Sequence, residues 1–280
     1  RGSAGLELIQ ASSATGTLTL SEASGWLESD NLIVLSGQNV DVAGVLRNNQ
    51  ATSANDDFEL IISAADDVYL HGAIGIVGSM FIEAGDDIEV ANMALSAQSS
   101  GASLVLVAGD AVTMGGDAAT IASIEGDSTA VIAEAHTLLS VSAGGTLRLS
   151  DYVQLMSTGD GSAIELQAQH ISVLGQVRAG ADSAFAYDPT SEVMSFNPGV
   201  LPTYTGKAAS LNVFAVDQVT LGEISGSSET GGVLFATGSL NVQSGSNVDG
   251  VGYEMSRHSQ AKVDATGYGM WSDTTVDASN

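Results

Sequence analysis

The residues with the clearest chemical potential in this sequence are five aspartates. Asp66 and Asp67, Asp86 and Asp87, and Asp110 recur at one point of a repeated phrase, each time after a pair of small residues. Stacked at the ordinary strand separation of roughly 4.8 Å, such carboxylates repel one another. They must turn to solvent, accept backbone N–H bonds or share a cation. A shared cation points to calcium, which takes about six to eight oxygen ligands. Paired carboxylates also supply the acid and the base of glycosidic hydrolysis, and Asp66, Asp67, Asp86 and Asp87 are the residues for that role. A plainer account needs neither, because aspartate suits tight corners by bonding nearby backbone N–H groups. The sequence leaves these readings open. It lacks the calcium-binding nonapeptide G-G-x-G-x-D, of which Gly115-Gly116-Asp117 keeps only the opening glycines, and it lacks an EF-hand loop.

The elements that carry the aspartates are legible from a repeat. From Leu60 the chain reads L-I-I-S-A-A-D-D-V-Y-L, from Met80 M-F-I-E-A-G-D-D-I-E-V, from Leu104 L-V-L-V-A-G-D-A-V-T-M, and from Leu211 L-N-V-F-A-V-D-Q-V-T-L. Apolar or small residues fall at every second position up to the alanine, then resume after the aspartate. Weaker copies hold Leu32, Val34, Ser36, Val40 and Val42, and Val131, Ala133, Ala135, Leu139 and Val141. Slipped ones run through Leu147, Leu149, Val153 and Leu155, and through Ile164, Leu166, Ala168, Ile171 and Val173.

A period of two means strands with one buried face; interrupting glycines argue against helices. Each copy therefore reads as two short strands joined at a corner. A third, shorter element follows some of them, as at Ala73–Val77 and Ile121–Ile124. The fold expected is all-β, a right-handed parallel β-helix (solenoid) with a lateral loop insertion. At strand spacing, about nine or ten coils would make a rod roughly 45 Å long. The rival is a two-sheet sandwich, which needs hairpin turns such as Asp160-Gly161 or Asp249-Gly250.

The organisation expected is a leading edge or continuation of the coil over 1–14, coils over 15–180, an insertion over 181–208, further coils over 209–248, and a cap or linker over 249–280. The insertion holds all the prolines, Pro189, Pro198 and Pro202, together with Phe185, Tyr187, Phe196 and Tyr204. It reads as a loop or hairpin against the side of the coils, and those four aromatics are its candidate ligand or partner surface. The tail carries Tyr253, Met255, His258, Tyr268, Met270 and Trp271 without the repeat.

Composition narrows the partners. With 33 acidic residues against 7 basic ones, the formal net charge is −26. Such a chain repels nucleic acid and anionic membrane surfaces, and no apolar run approaches the roughly 20 residues of a membrane-spanning helix. Cysteine is absent, which removes disulfide and thiol chemistry. Arg1-Gly2-Ser3-Ala4-Gly5 opens without a signal peptide and reads as a tag remnant or a cut inside a longer protein. His71, His136, His170 and His258 lie too far apart for a zinc motif.

The phrase h-x-h-x-A-G-D-D-I-x-V, best seen from Met80 and over about residues 15–180 and 209–248, resembles the degenerate coils of filamentous-haemagglutinin-type β-helical secreted proteins and of large repetitive bacterial surface adhesins. That resemblance implies a non-catalytic scaffold that is secreted or held on a bacterial surface. It would pair end to end with its own copies or adjoining segments and attach to cell-surface carbohydrate or protein. No catalytic residue follows from it. The alternatives are a carbohydrate-active β-helix enzyme and a carbohydrate-binding module built on Phe185, Tyr187, Phe196 and Tyr204.

Overall fold

The computed structural model describes residues 9–20, 26–28, 32–47, 58–72, 74–76, 78–91, 94–97, 99–115, 131–150, 153–182, 185–188, 193–196, 207–225, 228–230, 232–245, 247–250, 254–257, 262–266 and 275–277. Among them every element is a β-strand. The strands form a 15-stranded sheet, a 10-stranded sheet and two separate two-stranded ribbons. Pairing is parallel throughout the two large sheets and antiparallel only in the ribbons. A sandwich of hairpins is thereby excluded for the described residues. Gly161 does make a turn, with φ of +71°, but it links strands of different sheets, and Asp249-Gly250 lies inside a strand paired in parallel with Thr220 and Leu221.

The alternation seen in sequence becomes a set of columns. Ile33 pairs with Leu60, Leu60 with Met80, Met80 with Leu104, and the column continues through Leu139, Ile164, Leu211 and Leu240. All eight are completely buried. Two residues on, Leu35, Ile62, Ile82, Leu106, Val141, Leu166, Val213 and Val242 form the next column. After the corner, Val40, Val68, Ile88, Val112, Leu147, Ile171 and Val219 form a third. The 10-stranded sheet receives the short third elements, so that Leu46, Ile74, Leu95, Ala133, Leu155, Val177 and Leu234 stack in their turn. Burying one such aliphatic side chain contributes about 1.5–3 kcal/mol. These columns merge in one continuous apolar core.

At the corner, backbone joins backbone. Gly85 N donates to Ala64 O at 3.0 Å, Gly109 N to Ala84 O at 3.1 Å, and Gly144 N to Ala108 O at 3.1 Å. The same approach explains the glycines. A Cβ on Gly109 would lie 2.0 Å from the Gly85 carbonyl oxygen, and one on Gly144 would lie 2.0 Å from that of Gly109. The inward residue before each of these glycines is alanine, and Ala64, Ala84, Ala108 and Ala143 stack on one another.

Three details differ from the reading of the sequence. The inward residues of the earliest copy are Ile33 and Leu35; Leu32, Val34 and Ser36 lie on the opposite face. The corner Gly37-Gln38-Asn39 is one residue shorter than Ala64-Ala65-Asp66-Asp67, so a fixed offset back from Val40 slips the strand, and a slip of one reverses its faces. Val131–Ala135 is not the first half of a copy: it belongs to the 10-stranded sheet, while Leu138–Ala143 opens the next copy in the other. Parallel pairing also runs on past residue 248, the expected end of the coils. At the other end Ile9–Leu20 pairs with Ile33–Val42. Beyond Gly250, Glu254–Arg257, Lys262–Thr266 and Thr275–Asp277 still pair in parallel. Ile74–Ile76 is a strand as expected; Ile121–Ile124 lies outside the described residues.

Two substitutions test this packing. Leu104→Ala removes a buried side chain from the middle of a column and is expected to cost about 3 kcal/mol in urea unfolding. Gly109→Ala forces two backbones apart and is expected to cost about 2 kcal/mol, whereas Gly161→Ala, with open space around it, should cost about 1 kcal/mol for its left-handed backbone alone. Equal costs at Gly109 and Gly161 would contradict the close approach.

Candidate functional site

The five aspartates sit where the 15-stranded sheet turns its corner, on three consecutive copies. Backbone bonds hold them in a stack: Asp86 N donates to Asp66 O at 2.9 Å, Asp110 N to Asp86 O at 2.9 Å, and Gly145 N to Asp110 O at 2.7 Å. The first-position column is therefore Asp66, Asp86 and Asp110, as the repeat implied. Beyond Gly145 the strict column ends at a bulge: the Gly145 carbonyl accepts from both Gln169 N at 2.9 Å and His170 N at 3.0 Å, and His170 is paired with Thr146, in the second-position register.

The second-position carboxylates make direct bonds to backbone. Asp87 N donates to Asp67 Oδ1 at 3.3 Å, and Ala111 N to Asp87 Oδ1 at 2.9 Å. Asn39 begins the same ladder, its Oδ1 accepting from Asp67 N at 3.0 Å. Each side chain thus serves the N–H of the following copy rather than one two residues further along its own chain. Asp67 Oδ2 also accepts the Tyr69 hydroxyl at 3.0 Å, and Asp66 Oδ2 accepts Gln38 Nε2 at 2.5 Å. The plainer corner role of aspartate is realised here in an inter-copy form.

Asp86, Asp87 and Asp110 converge. One carboxylate oxygen from each lies within 4.8 Å of the others, and all three residues are exposed. Asp66 and Asp67, expected in the same set, are not in this cluster. Asp86 carries the electrostatic consequence: the negative charge of Asp87 first, then desolvation, then Asp67, Asp110 and Asp66, raise its carboxyl above the usual range. Tyr69 is raised as well, by burial first and then by its bond to Asp67 and the charges of Asp67, Glu89 and Asp87. Its ring stacks on His71, with centroids 6.4 Å apart. The oxygen-only donor set suits a hard divalent cation.

Other residues singled out in the sequence fall elsewhere. Asp217, which occupies the Asp66 position in its own copy, faces His170 with Oδ2 3.6 Å from Nδ1. Within the insertion, Phe185–Asp188 and Val193–Phe196 form an antiparallel ribbon with Phe185 opposite Phe196 and Tyr187 opposite Met194. By the alternation of a strand, positions 185, 187, 194 and 196 share one face of it. Tyr204 lies outside the described residues.

Sequence reasoning missed Gln38 and Asn39, because the slipped frame of the earliest copy concealed that Asn39 aligns with Asp67. It also missed a second face of the 10-stranded sheet, where Ile132, Glu134 and Met156 are buried outside the main core. Only the unbroken apolar character of Val131 and Ile132 hinted at burial on both faces.

No family model, no curated protein and no solved structure matches this chain. The likeness to filamentous-haemagglutinin-type coils therefore rests on the repeat phrase alone.

The sign of the Asp86 effect is testable. A carboxyl raised in the folded chain binds its proton more tightly there than in the unfolded chain, so stability falls as pH rises through that window and the repulsion persists above it. Asp86→Asn, in chelator and low salt, is expected to raise the unfolding midpoint at neutral pH. The gain should shrink as pH drops below the raised value and as salt screens the neighbours. Lower stability of the variant at neutral pH would contradict this electrostatic account. In the ladder, Asp87→Asn should be tolerated, since it keeps the acceptor, and Asp87→Ala should not.

Proposed function

We propose that this chain is a non-catalytic structural scaffold of the bacterial cell surface or exterior, wound as a right-handed parallel β-solenoid and serving as a segment of an adhesive filament. The observation that carries the reading is the register of the parallel pairs. The same inward positions stack on their own counterparts from Ile33 to Leu240, so each copy is supported by its neighbours rather than by a closed core. Right-handed winding is supported by the strong preference of parallel crossover connections for that hand. Absence of cysteine and the acidic composition suit an exposed extracellular particle. Outermost parallel strands offer backbone groups to a further strand, which supports end-to-end pairing with adjoining segments or other copies. Calcium, if bound, would be held by Asp86, Asp87 and Asp110, screening the repulsion among them.

A second reading, a carbohydrate-binding role for the insertion, is favoured by the ribbon register that gathers Phe185, Tyr187 and Phe196 on one face. Aromatic side chains stack on sugar rings through their apolar faces, and the net charge of −26 favours a neutral glycan over an acidic one.

Electron microscopy over a range of concentrations, with calcium and with chelator, tests the principal reading. Filaments or uniform elongated rods are expected; compact globular particles in every condition would overturn it. Filaments that dissolve in chelator would assign calcium a role, and filaments indifferent to chelator would remove it. For the second reading, binding to neutral polysaccharides should fall at least tenfold in a Tyr187→Ala, Phe196→Ala variant, while turnover of any polysaccharide would instead indicate an enzyme.

A further inference from the structure

We propose that the chain between Asp182 and Lys207 is a self-contained side excursion, latched at its base by Lys207, without which the stacked sheets still fold. The parallel pairing passes straight across it. Ala163–Val173 pairs with Ser210–Leu221 over nearly its whole length, and Gln176–Ala179 pairs with Val233–Ala236, although the excursion separates them in sequence. Nothing in the register makes room for the intervening residues.

The points of departure and return are fixed against each other. The chain leaves through Gly180, with φ of +84°, where a Cβ would lie 2.2 Å from Thr237 Oγ1. That same hydroxyl oxygen accepts the N–H of Ala209, just after the return, at 3.1 Å. Ala181 and Ala209 are both fully buried. Between these anchors, Lys207 Nζ donates to the Ala181 carbonyl at 2.9 Å and to Asp182 Oδ1 at 2.8 Å. The pair is partly shielded, with side chains 18% and 34% exposed. Ala208 N adds a bond to Asp160 Oδ1 at 3.0 Å, tying the return to the neighbouring copy.

With its ends already joined, the excursion adds little loop-closure cost to the sheets, and its opening is a local event rather than a step in global unfolding. The only strand pairing described within it is its own antiparallel ribbon. One of the chain's 7 basic residues is committed to holding this base. The arrangement lets the excursion vary in sequence while the stack stays constant, as a recognition element on a scaffold requires.

Two variants test it. Replacing residues 183–206 by a short Gly-Ser linker should leave the far-ultraviolet circular dichroism of the sheets intact and move the thermal midpoint by no more than about 2 °C. Loss of cooperative unfolding, or a drop beyond about 10 °C, would overturn the separation of excursion from stack. In the full-length chain, Lys207→Met should speed limited proteolysis within the excursion roughly three- to fivefold, with little change in the global midpoint. Exchanging the charges, Asp182→Lys with Lys207→Asp, should restore part of the protection. Unchanged cleavage in Lys207→Met, or a global midpoint that falls together with it, would remove the latch.

Discussion

The parallel backbone ladder between successive copies is the constraint on which the rest depends. It places every residue beside its own counterpart in the next copy, so each position must tolerate a neighbour of its own kind at strand spacing. Aliphatic side chains meet that demand easily, and the columns from Ile33 and from Val40 are almost entirely Leu, Ile, Val and Met. Several corners meet it with glycine, because at Gly85, Gly109, Gly144 and Gly245 a carbonyl of the neighbouring copy lies where a Cβ would be. The abundance of glycine and the near absence of large aromatics from the core follow from one geometric rule.

Carboxylates are the least suited to such stacking, and the acidic corner shows two ways of living with it. Asp67 and Asp87 turn part of their charge toward backbone N–H groups of the following copy; Asn39 does the same without charge. Asp86 lies among the charges of Asp66, Asp67, Asp87 and Asp110 and holds its proton more tightly as a result. Past the uncharged Gly145 and Thr146, the corner sets His170, paired with Thr146, against Asp217 rather than one carboxylate against another. The corner is thus first a hydrogen-bonding device of the backbone. Any cation held by Asp86, Asp87 and Asp110 would act on a geometry the ladder has already built.

A repeated register and a segment free of it make opposite demands on sequence, and this chain keeps them in separate stretches. A stack of copies gains rigidity from repetition and loses freedom to vary, since a change at one position is felt by two neighbours. The excursion between Asp182 and Lys207 escapes that rule because its ends meet at an ion pair and a carbonyl bond. All three prolines, which would disrupt a column, lie there. A smaller ribbon, Glu223–Ser225 with Ser228–Thr230, interrupts the stack in a similar antiparallel form.

Much of this was legible in the sequence. The period of two, the Ala-Gly-Asp corner and the recurrence of the phrase determined all-β architecture, the inward residues of the strong copies and the stacking of Asp66, Asp86 and Asp110, because those features depend on local geometry repeated. Frames failed where corner length changed. Gly37-Gln38-Asn39 is one residue short, and between Ala168 and His170 the strand bulges to stay in register with Ala215 and Gln218; spacing along the chain cannot show which residue is dropped. Which oxygen of each aspartate bonds backbone, which three carboxylates converge, and that Lys207 reaches across to Ala181 and Asp182 were decided only by tertiary structure. Those contacts join atoms of different copies, and their distances are set by how the backbones approach, which no single copy of the phrase contains.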